Sequence, residues 1–342
     1  MLEELTRKFT TFAEKECKGT SDLYERLALE VAEDVELLKL SAHAQASQPV
    51  PNMLFGAVHH LLLQGTKHEL AEYYPSITEA PHSASSAFYE FQDFCKKYRH
   101  EIIEILATKS VQTNEVGRCA YLYPIFSFIF EQVQTPLACI EIGTSAGLQL
   151  LWDQYRYDYG TGSYFGNKTS DVTISAEIKA AKLPALYEQI PVEERIGIDL
   201  NINDLTVEED LQWLLALIWP EHHSRRNIFQ HAAKYVQKAS LTLVEGDGVD
   251  LLPELAERIA ENATICVFHT HVANQIPEEK KHMLMERVWE IGLSRNIFHI
   301  YNNMWDRDLH VDAIIDGELS EQLACKTDGH GRWFTWEKKQ NG

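Results

Sequence analysis

Leu137-Ala-Cys-Ile-Glu141-Ile-Gly143-Thr-Ser145-Ala-Gly147-Leu-Gln-Leu-Leu151-Trp152 decides the fold of this chain. Its first six residues make an apolar, strand-like run. A turn of small residues stops that run, and an apolar run of helical period follows at once. Strand, tight turn and helix in succession set bare backbone amides at a helix N-terminus, where they face the polar groups of a ligand. The same residues satisfy two spacings that belong to different chemistries: Glu-x-Gly-x-x-x-Gly over 141–147 and Gly-x-Ser-x-Gly over 143–147.

Upstream of residue 137 the chain reads as helix. Asp22 and Glu25 stand at capping-box spacing ahead of Leu23, Leu27, Ala28, Val31, Ala32, Val35 and Leu38, which recur at helical period. Further helical runs span 53–63, 85–108 and 116–133. Downstream the pattern changes to short strands at 137–142, 195–200, 241–245, 264–269 and 297–301, separated by helical segments at 211–217, 227–237, 253–261 and 278–292. Such alternation predicts a parallel sheet covered on both faces. Residues 323–327 and 332–336 flank Asp328-Gly-His-Gly331 and read as a terminal hairpin, and 160–190 reads as an inserted ribbon or flap.

The chain has 342 residues and a formal net charge of −20, which repels a nucleic-acid partner and favours a small molecule. No apolar run nears the roughly 18 residues of a membrane span, and the N-terminus lacks the order of a secretory signal. Its six cysteines are scattered singly with no C-x-x-C pair, which predicts buried, reduced thiols and a cytoplasmic protein. Neither composition nor pattern sets an oligomeric state.

Gly-x-Ser-x-Gly is the nucleophile elbow of α/β-hydrolases, with Ser145 as nucleophile and Asp306 with His310 or His330 completing a triad. An elbow needs strands before it to build its sheet, and none is evident. A dinucleotide fingerprint wants glycine at 143, 145 and 148; Ser145 and Leu148 fail it. Glu141, Gly143 and Gly147 instead resemble the first motif of S-adenosylmethionine (SAM) dependent methyltransferases, with Ser145 in place of the middle glycine. An acid should then end the second strand, at the ribose hydroxyls, and another the third, near the adenine. Asp199 and Asp247 stand at those two places. The plainer role for both is to cap the helices that follow.

At the end of the fourth strand, His269 and His271 are the candidate general bases on a substrate hydroxyl or amine. No third ligand is near them, so no metal is expected. Asn114, Glu115 and Arg118 in Gln112-Thr-Asn-Glu-Val-Gly-Arg118, Tyr157 in Tyr155-Arg-Tyr-Asp-Tyr159, Asn274 and Asn302 are the candidate pocket residues.

Gln48-Pro-Val-Pro-Asn52, Gln112-Thr-Asn-Glu-Val-Gly-Arg118, Glu141-Ile-Gly-Thr-Ser-Ala-Gly-Leu148, Tyr155-Arg-Tyr-Asp-Tyr-Gly160 and Gly197-Ile-Asp-Leu-Asn201 together resemble a bacterial family catalogued as domain of unknown function 2332. In that pattern a proline usually follows the last motif, where this chain has Ile202. The resemblance spans nearly the whole chain. It implies a fold similar to SAM-dependent methyltransferases and names no substrate. The expected architecture is an all-helical domain over 1–134. A methyltransferase-like, Rossmann-type α/β domain with a mostly parallel seven-stranded sheet follows over 135–342. The expected function is methyl transfer from SAM to an unidentified small molecule; the alternatives are a non-catalytic protein that binds a nucleotide-like ligand and, behind it, a serine hydrolase using Ser145.

Overall fold

The computed structural model describes residues 1–112, 115–179 and 184–336. The chain divides into two compact units. One joins Met1–Thr113 to Thr206–Asn227; the other joins Asn114–Leu205 to Ile228–Gly342. The boundary expected at 134/135 falls inside the second unit.

The first unit is helical. Its helix Asp22–Glu33 is capped by Ser21 rather than by Asp22: the Ser21 hydroxyl oxygen accepts from the Tyr24 N–H at 3.1 Å. That hydroxyl donates in turn to Glu221 at 2.8 Å, and the other Glu221 oxygen accepts the Leu23 N–H at 2.9 Å. A carboxylate from the second chain segment thus satisfies first-turn donors that a capping box would have used. Helix Val50–Leu63 is buried on almost every side. His59 within it holds the Ala216 carbonyl at 2.9 Å and Ser76 at 2.7 Å, and burial pulls its pKa down to about 3. The 85–108 run is two helices, Ala87–Lys97 and Arg99–Thr108, parted at Tyr98.

The second unit carries the sheet. Its strands are β1 (Leu137–Ile142), β2 (Val192–Asp199), β3 (Thr242–Glu245), β4 (Thr264–His269), β5 (Ile297–Asn302), β6 (Leu309–Ile315) and β7 (Glu318–Cys325). They lie in the order β7-β6-β5-β4-β1-β2-β3. The first five are mutually parallel, β6 runs against β5, and β7 against β6. Strand succession reverses direction between β1 and β4, which makes that gap the switch point where open α/β sheets bind ligands. β1 and β4 are buried at every position, as expected of parallel strands covered on both faces. Helices Gly248–Glu257 and Glu278–Gly292 cover one face through Val249, Leu252, Leu284 and Val288. On the other, Phe126 of the helix Cys119–Val133 meets Phe268 edge-on.

The main sheet's hairpin turns at Asp316-Gly317, both in left-handed conformation, and joins β6 to β7. The Asp328-Gly-His-Gly331 turn closes a second, short hairpin through the Thr327–Phe334 bridge, with Asp328 N–H on the Trp333 carbonyl at 2.9 Å and Thr335 N–H on the Lys326 carbonyl at 2.8 Å, and its strand Trp333–Thr335 also pairs with Glu177–Lys179. One expectation is corrected here: the run after Gly147 is not an α-helix. It is a six-residue 3-10 segment, Gln149–Gln154, interrupted at Leu151. Its carbonyls are captured by side chains: Leu148 by the Tyr155 hydroxyl at 2.8 Å, Leu150 by the Arg195 guanidinium, and Trp152 by the Tyr157 hydroxyl. Arg195 also forks onto Asp153 at 2.6 and 2.7 Å. These bonds pin the segment in its tight, interrupted form, with the Leu148 carbonyl also taking the Leu151 N–H at 3.4 Å.

Within 160–190, strands Tyr164–Gly166 and Thr173–Ser175 flank Arg156–Asp158 in a small three-stranded sheet. No helix among the described residues is long and apolar enough to cross a membrane. All six cysteines are buried free thiols.

Candidate functional site

Backbone strain marks the site. Among the described residues, five that are not glycine have positive φ: Gln134, Ser145, His271, Asn303 and Asp316. Gln134 ends a helix and Asp316 opens an Asp-Gly turn, where left-handed backbone is ordinary. The other three directly follow parallel strands of the sheet: Ser145 (φ 52°) after β1, His271 (φ 59°) after β4 and Asn303 (φ 57°) after β5. Each costs on the order of 1 kcal/mol, and such outliers concentrate where a chain binds or reacts.

The β1 turn is built around β2. Gly143 and Thr144 donate their N–H groups to the Ile198 carbonyl at 2.8 and 3.2 Å. The Ser145 N–H donates to Asp199 Oδ2 at 2.8 Å, while Asp199 Oδ1 accepts from Asn201 at 3.0 Å. Asn203 closes the turn, its N–H on the Ser145 carbonyl at 3.0 Å and its side-chain amide on the Ser145 hydroxyl at 3.1 Å. Asp199 is therefore a brace of the glycine turn and not a helix cap. Gly143 has φ +77°, and a Cβ there would stand 2.2 Å from Val272 Cγ2. Gly143→Ala is expected to cost about 1–3 kcal/mol from strain and overlap together. Denaturant unfolding checks it; adding Val272→Ala should return the overlap part and leave the strain.

Glu141 is buried beneath this turn and accepts the Thr144 hydroxyl at 2.6 Å. Desolvation, with the Asp199 charge nearby, pushes its pKa up to about 8 against the pull of Thr144 and Arg118. It is therefore mostly protonated at neutral pH.

The two histidines do not act as a pair. Strand β4 ends at His269, and the left-handed backbone at His271 turns that ring away. His269 is fully buried with its Nε2 3.2 Å from His299 Nε2, and desolvation lowers its pKa to about 4. Its Nδ1 and that of His299 meet no hydrogen-bond partner. The backbone N–H of His271 donates to Asn302 Oδ1 at 2.7 Å. Its Nδ1 accepts from the Asn303 amide at 3.2 Å, so the neutral ring carries its proton on Nε2. Burial, with Arg118 and His330 nearby, lowers its pKa to about 4. The general-base role expected of His269 or His271 is thus not what the geometry provides: one ring faces another histidine inside the protein, and the other presents a donor.

Glu115 and Arg118 do more than cap a turn. Glu115 accepts the Gly117 N–H at 3.1 Å and pairs with His330 at 2.9 Å. Arg118 is 5% exposed and donates to the Thr270 carbonyl at 3.1 Å, the Thr270 hydroxyl at 3.2 Å and the Gly329 carbonyl at 2.9 Å. Thr270 in turn donates to Gln149 at 3.0 Å. This network ties the 115–118 turn and the 328–331 turn to the end of β4.

Other expected residues stand elsewhere. Asp247 is the N-cap of Gly248–Glu257, accepting from Val249 at 2.9 Å, and pairs with Lys280 at 3.1 Å. Tyr157 is wholly buried, stacked on Tyr123 at 4.4 Å, so it belongs to the core rather than to a pocket wall. Asn274 is exposed in a 3-10 turn, and Asn114 lies outside the described residues. His310 pairs with Asp306 at 2.9 Å, but β6 stands three strand spacings from β1, about 14 Å from Ser145. No hydrolase triad assembles from that pair. An open groove of about 480 Å³ lies at the opposite end of the sheet, beside Val192, Arg195, Lys238 and Thr242. Among the described residues no group of three or more His, Cys, Asp or Glu is arranged to hold a metal.

Thr144, Gln149, Asn203 and Thr270 were not singled out from the sequence. Only their places next to strand ends signal them, since their residue types are common in any turn.

No curated protein and no solved structure gives a significant match. The pattern of a family described as "Uncharacterized protein conserved in bacteria (DUF2332)" matches residues 6–336. The match covers nearly the whole chain, and the chain belongs to this family.

Proposed function

We propose that the protein is a SAM-dependent methyltransferase acting on a small molecule. One observation carries it: left-handed turns after β1, β4 and β5 surround the switch point of the sheet, with Asp199 fixed at the end of β2 beside them. The residues present fit such a cofactor in part. The turn over Gly143, Ser145 and Gly147 would lie at the methionine end with Glu141 below; Val272 and Leu241 fill the space beside its two glycines, so those glycines serve the tight turn itself. Asp199, held by two main-chain donors, would meet the ribose hydroxyls. Asp247 does not fit the adenine role, because its carboxylate already caps a helix and pairs with Lys280. The 3-10 segment likewise supplies no helix dipole to support binding.

When bound, SAM supplies an electrophilic methyl group. The chain's own task is to bind, align and exclude water. His271 stays neutral and donates from Nε2; Asn302 holds its main chain; Arg118 fixes the segment that carries it. An acceptor that already bears a lone pair suits this arrangement better than one that must first lose a proton.

The test is calorimetric titration with SAM and with its demethylated product, on the wild type and on Asp199→Ala. Micromolar binding that falls at least tenfold in the variant is the expected result. Absence of both heat and thermal shift in the folded wild type would overturn the proposal.

A further inference from the structure

We infer, resting on the methyltransferase reading, that the end of β4 with Arg118 and Asn302 is the substrate subsite and that it takes the carboxylate of a small organic acid. Arg118 is the first reason. Its guanidinium is buried, yet it makes no ion pair among the described residues and donates only to neutral oxygens of Thr270 and Gly329. A buried cation without a bonded counter-ion is costly, and an anionic ligand removes that cost. Glu141, whose field reaches Arg118, does not fill the role, since burial keeps it largely protonated at neutral pH.

Two orphaned donors are the second reason. Asn302 is fully buried; its Oδ1 is taken by His271, and its Nδ2 has no hydrogen-bond partner. His271 Nε2 is likewise buried without a partner, and the Asn303 bond at Nδ1 makes it a donor. Unmade bonds of this kind are costly, and in native proteins they call for a partner. All three donors attach to one segment: Arg118 to Thr270, and Asn302 to His271, the next residue. A guanidinium bonded only to neutral oxygens and two N–H donors without a partner match the charge and lone pairs of a carboxylate.

This substrate also needs no general base. A carboxylate is already ionised at neutral pH, so methylation on its oxygen moves no proton. One oxygen–carbon bond forms, the methyl–sulfur bond of the sulfonium donor breaks, and the sulfur keeps the electron pair, leaving a methyl ester and a thioether. The net charge of −20 slows the approach of such an anion, so its association should quicken with added salt.

The experiment uses the full chain, ligand-observed NMR and matched pairs of small carboxylic acids and their primary amides, with a SAM titration run in parallel. Acids should bind and amides should bind at least tenfold more weakly. Asn302→Asp keeps an oxygen for the His271 N–H but replaces the free donor with charge, so it should weaken the acids at least tenfold and leave SAM binding intact. If that variant does not fold, His271→Phe removes one donor without adding charge and should weaken the acids severalfold. Equal binding of acids and amides, no acid binding, or acid binding untouched by the variants would each overturn the inference. Acid binding that obeys these rules in a protein that ignores SAM supports the carboxylate subsite and overturns the methyltransferase reading instead.

Discussion

Glu141→Gln is expected to melt several degrees above the wild type at pH 8, and to match it at pH 4. The wild-type carboxyl is buried, and desolvation raises its pKa from 4.5 to about 8 in the folded protein. The unfolded chain releases that proton near pH 4.5, so between these values folding must take up a proton. The penalty is absent below pH 4.5, grows as the pH rises, and levels off above about 8. Near pH 7 it amounts to about 3 kcal/mol, from about 1.4 kcal/mol per pH unit. Glutamine keeps the shape and an oxygen to accept the Thr144 hydroxyl, and it has no charge to bury. Thermal melts from pH 4 to pH 9 decide the matter: a gain that does not vary with pH, or no gain, means the folded carboxyl is ionised. A stabilising substitution directly under the glycine turn would mark Glu141 as a group kept at a cost in stability.

Arg118→Ala should destabilise the second unit by about 1–3 kcal/mol. It leaves the Thr270 and Gly329 carbonyls without this donor, while the Thr270 hydroxyl keeps its bond to Gln149. The 328–331 turn depends on it most. Gly331 approaches so near that a Cβ would stand 2.1 Å from the Gly117 carbonyl oxygen, and Arg118 joins the Glu115–His330 pair in drawing the two turns together. Amides of 328–331 should therefore exchange with solvent much faster in the variant, while the buried strands β1 and β4 change little. Arg118→Lys should recover less than half of the loss, because one ammonium lacks the planar fork that reaches acceptors on two sides. Uniform exchange across the unit would show that the guanidinium acts on global packing instead.

The parallel strands were legible because strands buried on both faces read as unbroken apolar runs, as Leu137–Ile142 and Thr264–His269 do. β6 was not. His310 and Asp312 alternate with apolar residues and read as a solvent-facing row, whereas Asp312 is buried and accepts the Tyr301 hydroxyl at 2.8 Å. In the site, Arg118, Glu115 and Asn302 stood out as polar residues crowded near apolar runs, and the structure links all three to the strand ends or the turns beside them. Asp247 did not keep its expected role, since an acid that ends a strand and begins a helix serves equally well as an N-cap. The 3-10 segment was unreadable for a similar reason: its geometry is set by Tyr155, Tyr157 and Arg195, which compete for its carbonyls from outside the segment.

The helical unit takes its final piece from Thr206–Asn227, and Glu221 from that piece completes the cap of a helix that starts at Asp22. A ribosome delivers those partners roughly 200 residues apart, which at about 5–20 residues per second is a delay of some 10–40 seconds. Through that interval Ser21 and Leu23 lack their carboxylate, while β1 and β2 have already been synthesised. The first part of the protein to be translated is therefore not the first to be finished, and a nascent chain halted before residue 221 leaves its helices without their last partner.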